Sequence, residues 1–93
     1  MRNNKRGEIT RAKMFLFIHN FMGMNCGLSP SVREIMIGIN VKSANTVLHH
    51  LKLLTEDGLI ERRDGFGSRN IKLPDSFYYP GYIPDRILNW AGK

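Results

Sequence analysis

The chain has 93 residues, a formal net charge of +6 and a pI of about 9.9. A chain of this length builds one small core, which excludes a second domain and disfavours a deep active-site cleft. Its 42% hydrophobic and 24% charged residues are ordinary for a globular protein, no apolar run approaches the roughly 18–20 residues of a membrane span, and the positive charge makes nucleic acid a partner to consider.

Two observations favour a cytoplasmic location. The basic start of the chain is followed by Glu8, Arg11 and Lys13, where a secretion signal needs an uninterrupted apolar segment. The single cysteine, Cys26, has no second thiol with which to form a disulfide or a metal clip, as is usual in a reducing compartment. We interpret Cys26 as a half-buried small hydrophobe in a connection.

Residues 1–9 are predicted to form a flexible basic arm, and the first helix follows with Thr10 as its candidate N-cap. Apolar residues then recur at intervals of three and four, the spacing of a core-facing helical stripe. The members of this stripe are Met14, Phe15, Phe17, Ile18, Phe21 and Met22. His19 lies among them without a metal-ligand partner nearby in the sequence, so we interpret it as a structural histidine.

A second, shorter helix is predicted after the connection at residues 23–28, which has glycines at both ends. It has two possible starts: a Ser29 cap followed by proline, or a Ser31 cap with Glu34 three residues later, the spacing of a capping box. Gly38 is predicted to end this helix in a left-handed conformation. The predicted inward residues are Val32, Ile35, Met36 and Ile39.

The third helix is predicted to run from a Ser43 cap to about Asp57, with Gly58 as its stop. A turn at residues 40–42 joins it to the second helix, and Val41 is the predicted apolar plug between them. A helical wheel gives it an apolar side and a polar side. The apolar side carries Ala44, Val47, Leu48, Leu51 and Leu54. The polar side carries Asn45, Thr46, His49, Lys52 and an anomalous Leu53.

Two strand-like runs, 59–62 and 70–73, enclose a glycine-bearing segment at 63–69 and therefore predict a β-hairpin. Pro74 ends the second run. Four basic residues flank the hairpin tip: Arg62, Arg63, Arg69 and Lys72. Three helices followed by a two-stranded hairpin wing predict an α+β winged helix-turn-helix over residues 10–74.

Residues 75–93 form a tail of different, aromatic composition. A brief helix is predicted to open at Pro84 and to carry Ile87, Leu88 and Trp90. The sequence leaves two roles open for this tail: it packs over the first helix to complete a small core, or it forms a homodimer contact. The residues proposed for that contact are Phe77, Tyr78, Tyr79, Tyr82 and Trp90.

No enzyme motif is found in the sequence: nucleophile-elbow, Walker-type and dinucleotide-binding patterns are all missing. His49 and His50, the only histidine pair, project about 100° apart on a helix and do not grip one metal from one face. We therefore predict no enzymatic activity, no metal and no cofactor.

The polar side of the third helix is typical of a helix that docks in the DNA major groove, because its short polar side chains can reach base edges. The N–H groups at its start can face phosphate, and the hairpin arginines can lie along the backbone. We predict double-stranded DNA as the partner. The candidate DNA-binding residues are Ser31, Arg33, Lys42, Ser43, Asn45, Thr46, His49, Lys52, Arg63 and Arg69.

Four segments of the sequence closely resemble the amino-terminal DNA-binding domain of LexA-type SOS repressors, a winged helix-turn-helix. These segments are 31–35 (SVREI), 41–46 (VKSANT), 50–54 (HLKLL) and 57–60 (DGLI). The resemblance extends over residues 10–73. It implies that Ser43, Asn45 and Thr46 occupy base-reading positions, with residues 48 and 49 next in line.

Two features depart from this resemblance. Leu48 and His49 stand where enterobacterial members carry acidic side chains, so the usual operator is not expected; we predict that Leu48 belongs to the core, the alternative being a contact to a thymine methyl. LexA proteins also continue into a Ser-Lys self-cleaving domain that dimerises, and this sequence ends before such a domain. Autocleavage is therefore not expected, and we interpret Ala91 and Gly92, the family's cleavage dipeptide, as a coincidence.

These features predict a stand-alone bacterial or phage transcriptional repressor that binds DNA in a sequence-specific way and reads the major groove with residues 43–57. The alternative is a winged-helix interaction module that docks a host regulator or polymerase through its aromatic tail. Single-stranded nucleic acid is a weaker fit, because the aromatic residues are not interleaved with the basic ones.

Overall fold

The computed structural model describes residues 5–63, 69–74 and 84–90. These ranges contain four helices and a two-stranded antiparallel sheet. In chain order the elements are α1 Lys5–Met24, α2 Val32–Gly38, α3 Ala44–Glu56, β1 Glu61–Arg62, β2 Ile71–Lys72 and α4 Asp85–Trp90. Helices together with a small antiparallel sheet fit the predicted α+β winged-helix class. Within these ranges, no helix is long and apolar enough to cross a bilayer.

Helix α1 begins at Lys5, so the prediction that Thr10 caps it is wrong and residues 5–9 of the predicted arm are helical. These residues include no proline to stop the helix, and Glu8 in the first turn interacts favourably with the positive end of the helix dipole. The predicted apolar stripe faces inward: four of its members are buried, and Phe17 and Phe21 are half-buried beside them. The half-buried His19 ring lies 6.0 Å from the Phe15 ring.

Helix α2 starts with the capping box that the spacing of Ser31 and Glu34 predicts. The Glu34 amide donates to Ser31 Oγ at 3.1 Å, and the Ser31 amide donates to Glu34 Oε1 at 2.9 Å. The helix ends at Gly38 as predicted, but the left-handed conformation predicted for this glycine is wrong, because the left-handed residue after the helix is Asn40, with φ of 58°. Gly38 is needed for another reason: a Cβ there would overlap the Phe17 ring of α1.

The connection between α1 and α2 has left-handed backbone at Cys26 and Gly27, with φ of 57° and 87°. Cys26 is exposed, so its interpretation as a half-buried hydrophobe is wrong. Ile35 is the buried residue of α2, and the other three predicted inward residues are half-buried against the core.

Helix α3 has the predicted ends. Its cap Ser43 accepts from the Thr46 amide at 3.3 Å, and Gly58 after the helix has φ of 77°. The buried residues are Val47, His50, Leu51 and Leu54. The prediction that Leu48 belongs to the core is wrong, because its side chain is 43% exposed.

The hairpin strands pair Glu61 with Lys72 and Arg62 with Ile71. The pairing extends by one bond from the Arg63 amide to the Asn70 carbonyl, at 2.7 Å. The predicted glycine-rich tip, residues 64–68, lies outside the described residues. The sheet contributes apolar side chains to the same core as the helices, which places the hairpin base against α1–α3.

Helix α4 confirms the brief helix predicted after Pro84, and it packs on α1. Ile87 is fully buried in the common core, and Trp90 is half-buried against it. These contacts fit the core-completing role for this part of the tail. Four of the residues proposed for a dimer contact, Phe77, Tyr78, Tyr79 and Tyr82, lie outside the described residues.

Candidate nucleic-acid interface

The side of α3 that points away from the core carries most of the side chains that we predict to contact bases. Ser43, Asn45 and His49 are exposed, and Thr46 is half-buried. Lys52 continues this face one turn further along the helix and is exposed as well. We call these side chains, together with Leu48, the outward face of α3. The buried residues of α3 hold its opposite side in the core, so the outward face is presented by a helix that is fixed from behind.

Two further candidate residues lie beside the start of α3. Arg33 of α2 and Lys42 of the turn line one open groove, which also contains Ala44 of α3. Both cations are exposed, and neither forms an ion pair within residues 5–63, 69–74 and 84–90. Two cations near a helix N-terminus, where the backbone N–H groups carry partial positive charge, produce a positive patch suited to phosphate.

Arg69 has a different environment, because its guanidinium binds other parts of the protein. It forms a bidentate pair with Glu34 of α2, with Nη1 2.8 Å from Oε1 and Nη2 2.9 Å from Oε2. Nη1 also donates to the Ser29 carbonyl at 2.8 Å. The bonds from Arg69 and from the Ser31 amide lower the pKa of Glu34 to about 2, and the bond to Glu34 raises the pKa of Arg69. Paired arginine and carboxylate of this geometry are among the stronger polar contacts in proteins.

Ser29 adds a second link between the hairpin and the start of α2. It is buried, and its Oγ accepts from the Ile71 amide of β2 at 3.1 Å. We call Ser29, Glu34 and Arg69 the wing clamp, because these three residues tie the base of the hairpin to α2. The sequence alone does not predict this cluster. Its only local signal is the Ser31–Glu34 capping spacing, which says nothing about Arg69.

A buried polar contact lies on the inner side of α3. Arg11 of α1 is 7% exposed, and its Nη1 is 3.3 Å from His50 Nδ1. Its guanidinium carbon also lies 4.9 Å from the centre of the Trp90 ring, a cation–π contact that links α1 to α4. Burial, together with the nearby Arg11 and His49, lowers the pKa of His50 to about 4. His50 is therefore neutral at pH 7 and can accept from Arg11, which makes it part of the framework.

The family model described as LexA DNA binding domain matches residues 9–69 of the chain. The chain belongs to this LexA family. The match includes α2, α3 and β1, most of α1, and all the candidate DNA-binding residues, whereas β2 and α4 lie beyond it. No solved structure matches the chain.

Three bacterial relatives, each named LexA repressor, are similar to parts of the chain. The protein from Roseiflexus sp. (strain RS-1) is 36% identical over 73 residues, which are 78% of this chain and 33% of the relative. The protein from Carboxydothermus hydrogenoformans is 40% identical over 50 residues, 54% of this chain and 24% of the relative. The protein from Petrotoga mobilis is 38% identical over 68 residues, 71% and 32% of the two chains. The LexA-like chain thus spans a third or less of the length of these relatives.

The structure separates the predicted site residues of this LexA family member into three groups. Those on or beside the outward face of α3 lie together: Arg33, Lys42, Ser43, Asn45, Thr46, His49 and Lys52. Ser31 and Arg69 are engaged in the α2 cap and the wing clamp. Arg63 is exposed at the end of the first strand, next to the undescribed tip. Residues 43–52 and the two cations beside them therefore form the most coherent candidate interface.

Proposed function

We propose that this chain is a sequence-specific double-stranded DNA-binding repressor module that reads the major groove with the outward face of α3. The observation that carries the proposal is the polarity of that helix. Polar side chains from Asn45 to Lys52 are exposed on one side, while Val47, Leu51 and Leu54 anchor the other side in the core. Membership of the LexA family supports DNA as the ligand and repression as the outcome.

In the proposed complex, α3 supplies sequence information and the residues around it supply position. Asn45 has the amide that pairs with the N6 and N7 positions of adenine, and Ser43 and Thr46 have short hydroxyl groups that suit either kind of base. Arg33 and Lys42 neutralise phosphates on the flank of the groove, and Arg63 extends this contact along the wing. A module bound across a promoter in the bacterial cytoplasm represses by excluding polymerase, whether the repressor is encoded by the bacterium or by a phage.

Ser31 and Arg69 have a different part in this proposal. The Ser31 hydroxyl accepts a hydrogen bond from the Glu34 amide, and Arg69 donates to Glu34 and to the Ser29 carbonyl. A direct contact with phosphate would have to compete with these bonds. We therefore assign both residues mainly to holding α2 and the wing in the orientation that the DNA duplex requires.

The tail is proposed to complete the core rather than to dock another protein. Ile87 and Trp90 of α4 already pack within this chain, which supports this role for residues 84–90. A homodimer through Phe77, Tyr78, Tyr79 and Tyr82 stays a prediction. Analytical ultracentrifugation of the chain with and without its selected DNA would test the homodimer.

The proposed function is tested by selecting bound sequences from random duplex DNA and then titrating the selected duplex. We expect Asn45→Ala to weaken binding to that duplex by about 1–3 kcal/mol and to relax the preference at one base pair. Asn20→Ala is the matched control, because Asn20 is an exposed asparagine on α1. Selection without any enriched motif, or equal effects of the two substitutions, would count against base reading by α3.

A further inference from the structure

Leu48 is an apolar side chain among the polar residues of the outward face of α3. It is 43% exposed, whereas its neighbours on the inner side, Val47 and Leu51, are 0% and 1% exposed. Asn45 precedes it by three residues and Lys52 follows it by four, which are the spacings of side chains that neighbour one another along one helix face. Leu48 is therefore placed to meet the same ligand as these two residues.

The stability of the fold does not account for a leucine at this position. A leucine that is 43% exposed gains only part of the stabilisation of a buried one, and polar residues of similar helix propensity also fit a position at the helix surface. Exposed leucines are ordinary by themselves, as Leu88 at 40% exposure illustrates. The distinctive feature of Leu48 is its location on the helix face that is proposed to enter the major groove.

The major groove offers one apolar group, the 5-methyl of thymine. The other bases present N7, O6 or amino groups, and covering these with an aliphatic side chain would leave donors or acceptors without partners. We propose that Leu48 contacts a thymine 5-methyl in the bound DNA, so that the preferred site contains thymine at that position. This inference rests on the proposed function and adds a base identity to it.

The helix also limits where that thymine lies. Three residues of α-helix advance by about 4.5 Å, close to the base-pair spacing of about 3.4 Å. The thymine contacted by Leu48 is therefore expected one or two base pairs from the base contacted by Asn45.

The experiment replaces each thymine of the selected duplex in turn by deoxyuridine, which removes only the methyl group. With the unmodified protein, one thymine should be sensitive, and its replacement should weaken binding about 4-fold, the effect expected for one buried methyl group. With Leu48→Ala, the thymine and deoxyuridine duplexes should bind equally well. This loss of discrimination distinguishes a direct contact from a general weakening of the interface.

Three comparisons make the result decisive. Leu88→Ala removes a similarly exposed leucine from α4, and Asn45→Ala changes the adjacent contact; both should keep the sensitivity to deoxyuridine at that thymine. Thermal unfolding of Leu48→Ala should show only a small loss of stability, since Leu48 is 43% exposed. If a motif is enriched but Leu48→Ala loses as much affinity as the unmodified protein at every deoxyuridine replacement, the Leu48 contact is overturned and the proposed function is not. Selection that enriches no motif overturns the proposed function and this inference with it.

Discussion

The outward face of α3 and the base of the wing both carry polar and basic residues, yet the structure uses them differently. On α3, Asn45, His49 and Lys52 are directed to solvent. At the base of the wing, Arg69 is bonded to Glu34 and Ser29, and Arg62 Nε donates to Asn70 Oδ1 at 2.9 Å. The first region is organised to meet a ligand, and the second is organised to hold the protein together.

This difference changes how the net charge of +6 should be understood. An exposed cation releases counterions when it meets phosphate, which favours binding and makes the affinity salt-dependent. An arginine in a bidentate pair first has to break two charge-assisted bonds before it can make the same contact. Arg11 is buried beside His50 and Trp90, so its charge is even less accessible to phosphate. The effective footprint for DNA is therefore smaller than the charge count suggests.

The largest expected effect comes from removing the exposed cations beside α3. Replacing Arg33 and Lys42 together by alanine should lower affinity for any duplex roughly 100-fold near 0.1 M salt, because each lost phosphate contact removes about one unit of salt dependence. The midpoint of thermal unfolding should hardly change, since both side chains are exposed. Fluorescence anisotropy across a salt series measures the slope. An unchanged slope would mean that these cations do not meet phosphate.

The wing clamp should respond in the opposite way. Arg69→Lys keeps the charge but loses the bidentate geometry with Glu34, so we expect a lower midpoint of thermal unfolding and a small change in the salt slope. Arg86→Lys is the matched control: the Arg86 side chain is 53% exposed and its Nη1 lies 3.4 Å from Asp57 Oδ1, so the unfolding midpoint of this variant should stay nearly the same. A large change in slope with unchanged stability at Arg69 would assign this residue to the DNA instead.

Which of these features were predictable depends on how far apart in the sequence the interacting residues lie. The cap at Ser43 and the stop at Gly58 are confirmed, and the Ser31 cap is the one of the two predicted starts that the structure has, because each depends on residues within a few positions. The Arg69–Glu34 pair joins residues 35 positions apart, and Arg11 and His50 are 39 apart. The sequence shows that such residues are charged or polar, but their partners are determined by tertiary packing, which a local pattern does not contain.

Two predictions, the Thr10 cap and the burial of Leu48, are wrong for local reasons. Thr10 has the chemistry of a cap, but capping propensity only matters where the preceding residues leave the helix, and residues 5–9 continue it. Leu48 lies at the edge of the apolar stripe on a helical wheel, where the wheel alone does not decide between core and surface. The outcome there depends on whether another element covers that edge, and the structure leaves the side chain 43% exposed.

Two neighbouring histidines of α3 show the same contrast, because one is exposed and the other is bonded inside the protein. The pH dependence of stability measures this difference. His49 is exposed, whereas His50 is buried beside Arg11 with its pKa lowered to about 4 from the ordinary 6.5. Because the folded state resists protonation of His50, the contribution of this residue to stability is fully present above pH 6.5 and is lost as the pH drops from 6.5 toward 4, the range in which mainly the unfolded chain binds the proton. We expect His50 to contribute on the order of 1–2 kcal/mol to this loss. This is less than the full change in the pKa of His50 implies, because small movements of the neighbouring side chains let water reach a charged ring.

Urea unfolding between pH 4 and pH 7.5 measures this contribution as a difference between variants. His50→Gln should reduce the loss of stability over that range, because glutamine does not titrate, although its stability at pH 7 falls through the altered packing around Arg11. His49→Gln, one residue away on the exposed side, should keep most of the pH dependence of the unmodified protein, because His49 contributes less to the lowered pKa of His50 than burial and Arg11 do. Equal pH dependence in all three proteins would mean that His50 gains a proton as easily in the folded state as in the unfolded one, and the buried contact with Arg11 would then not act as a neutral hydrogen bond.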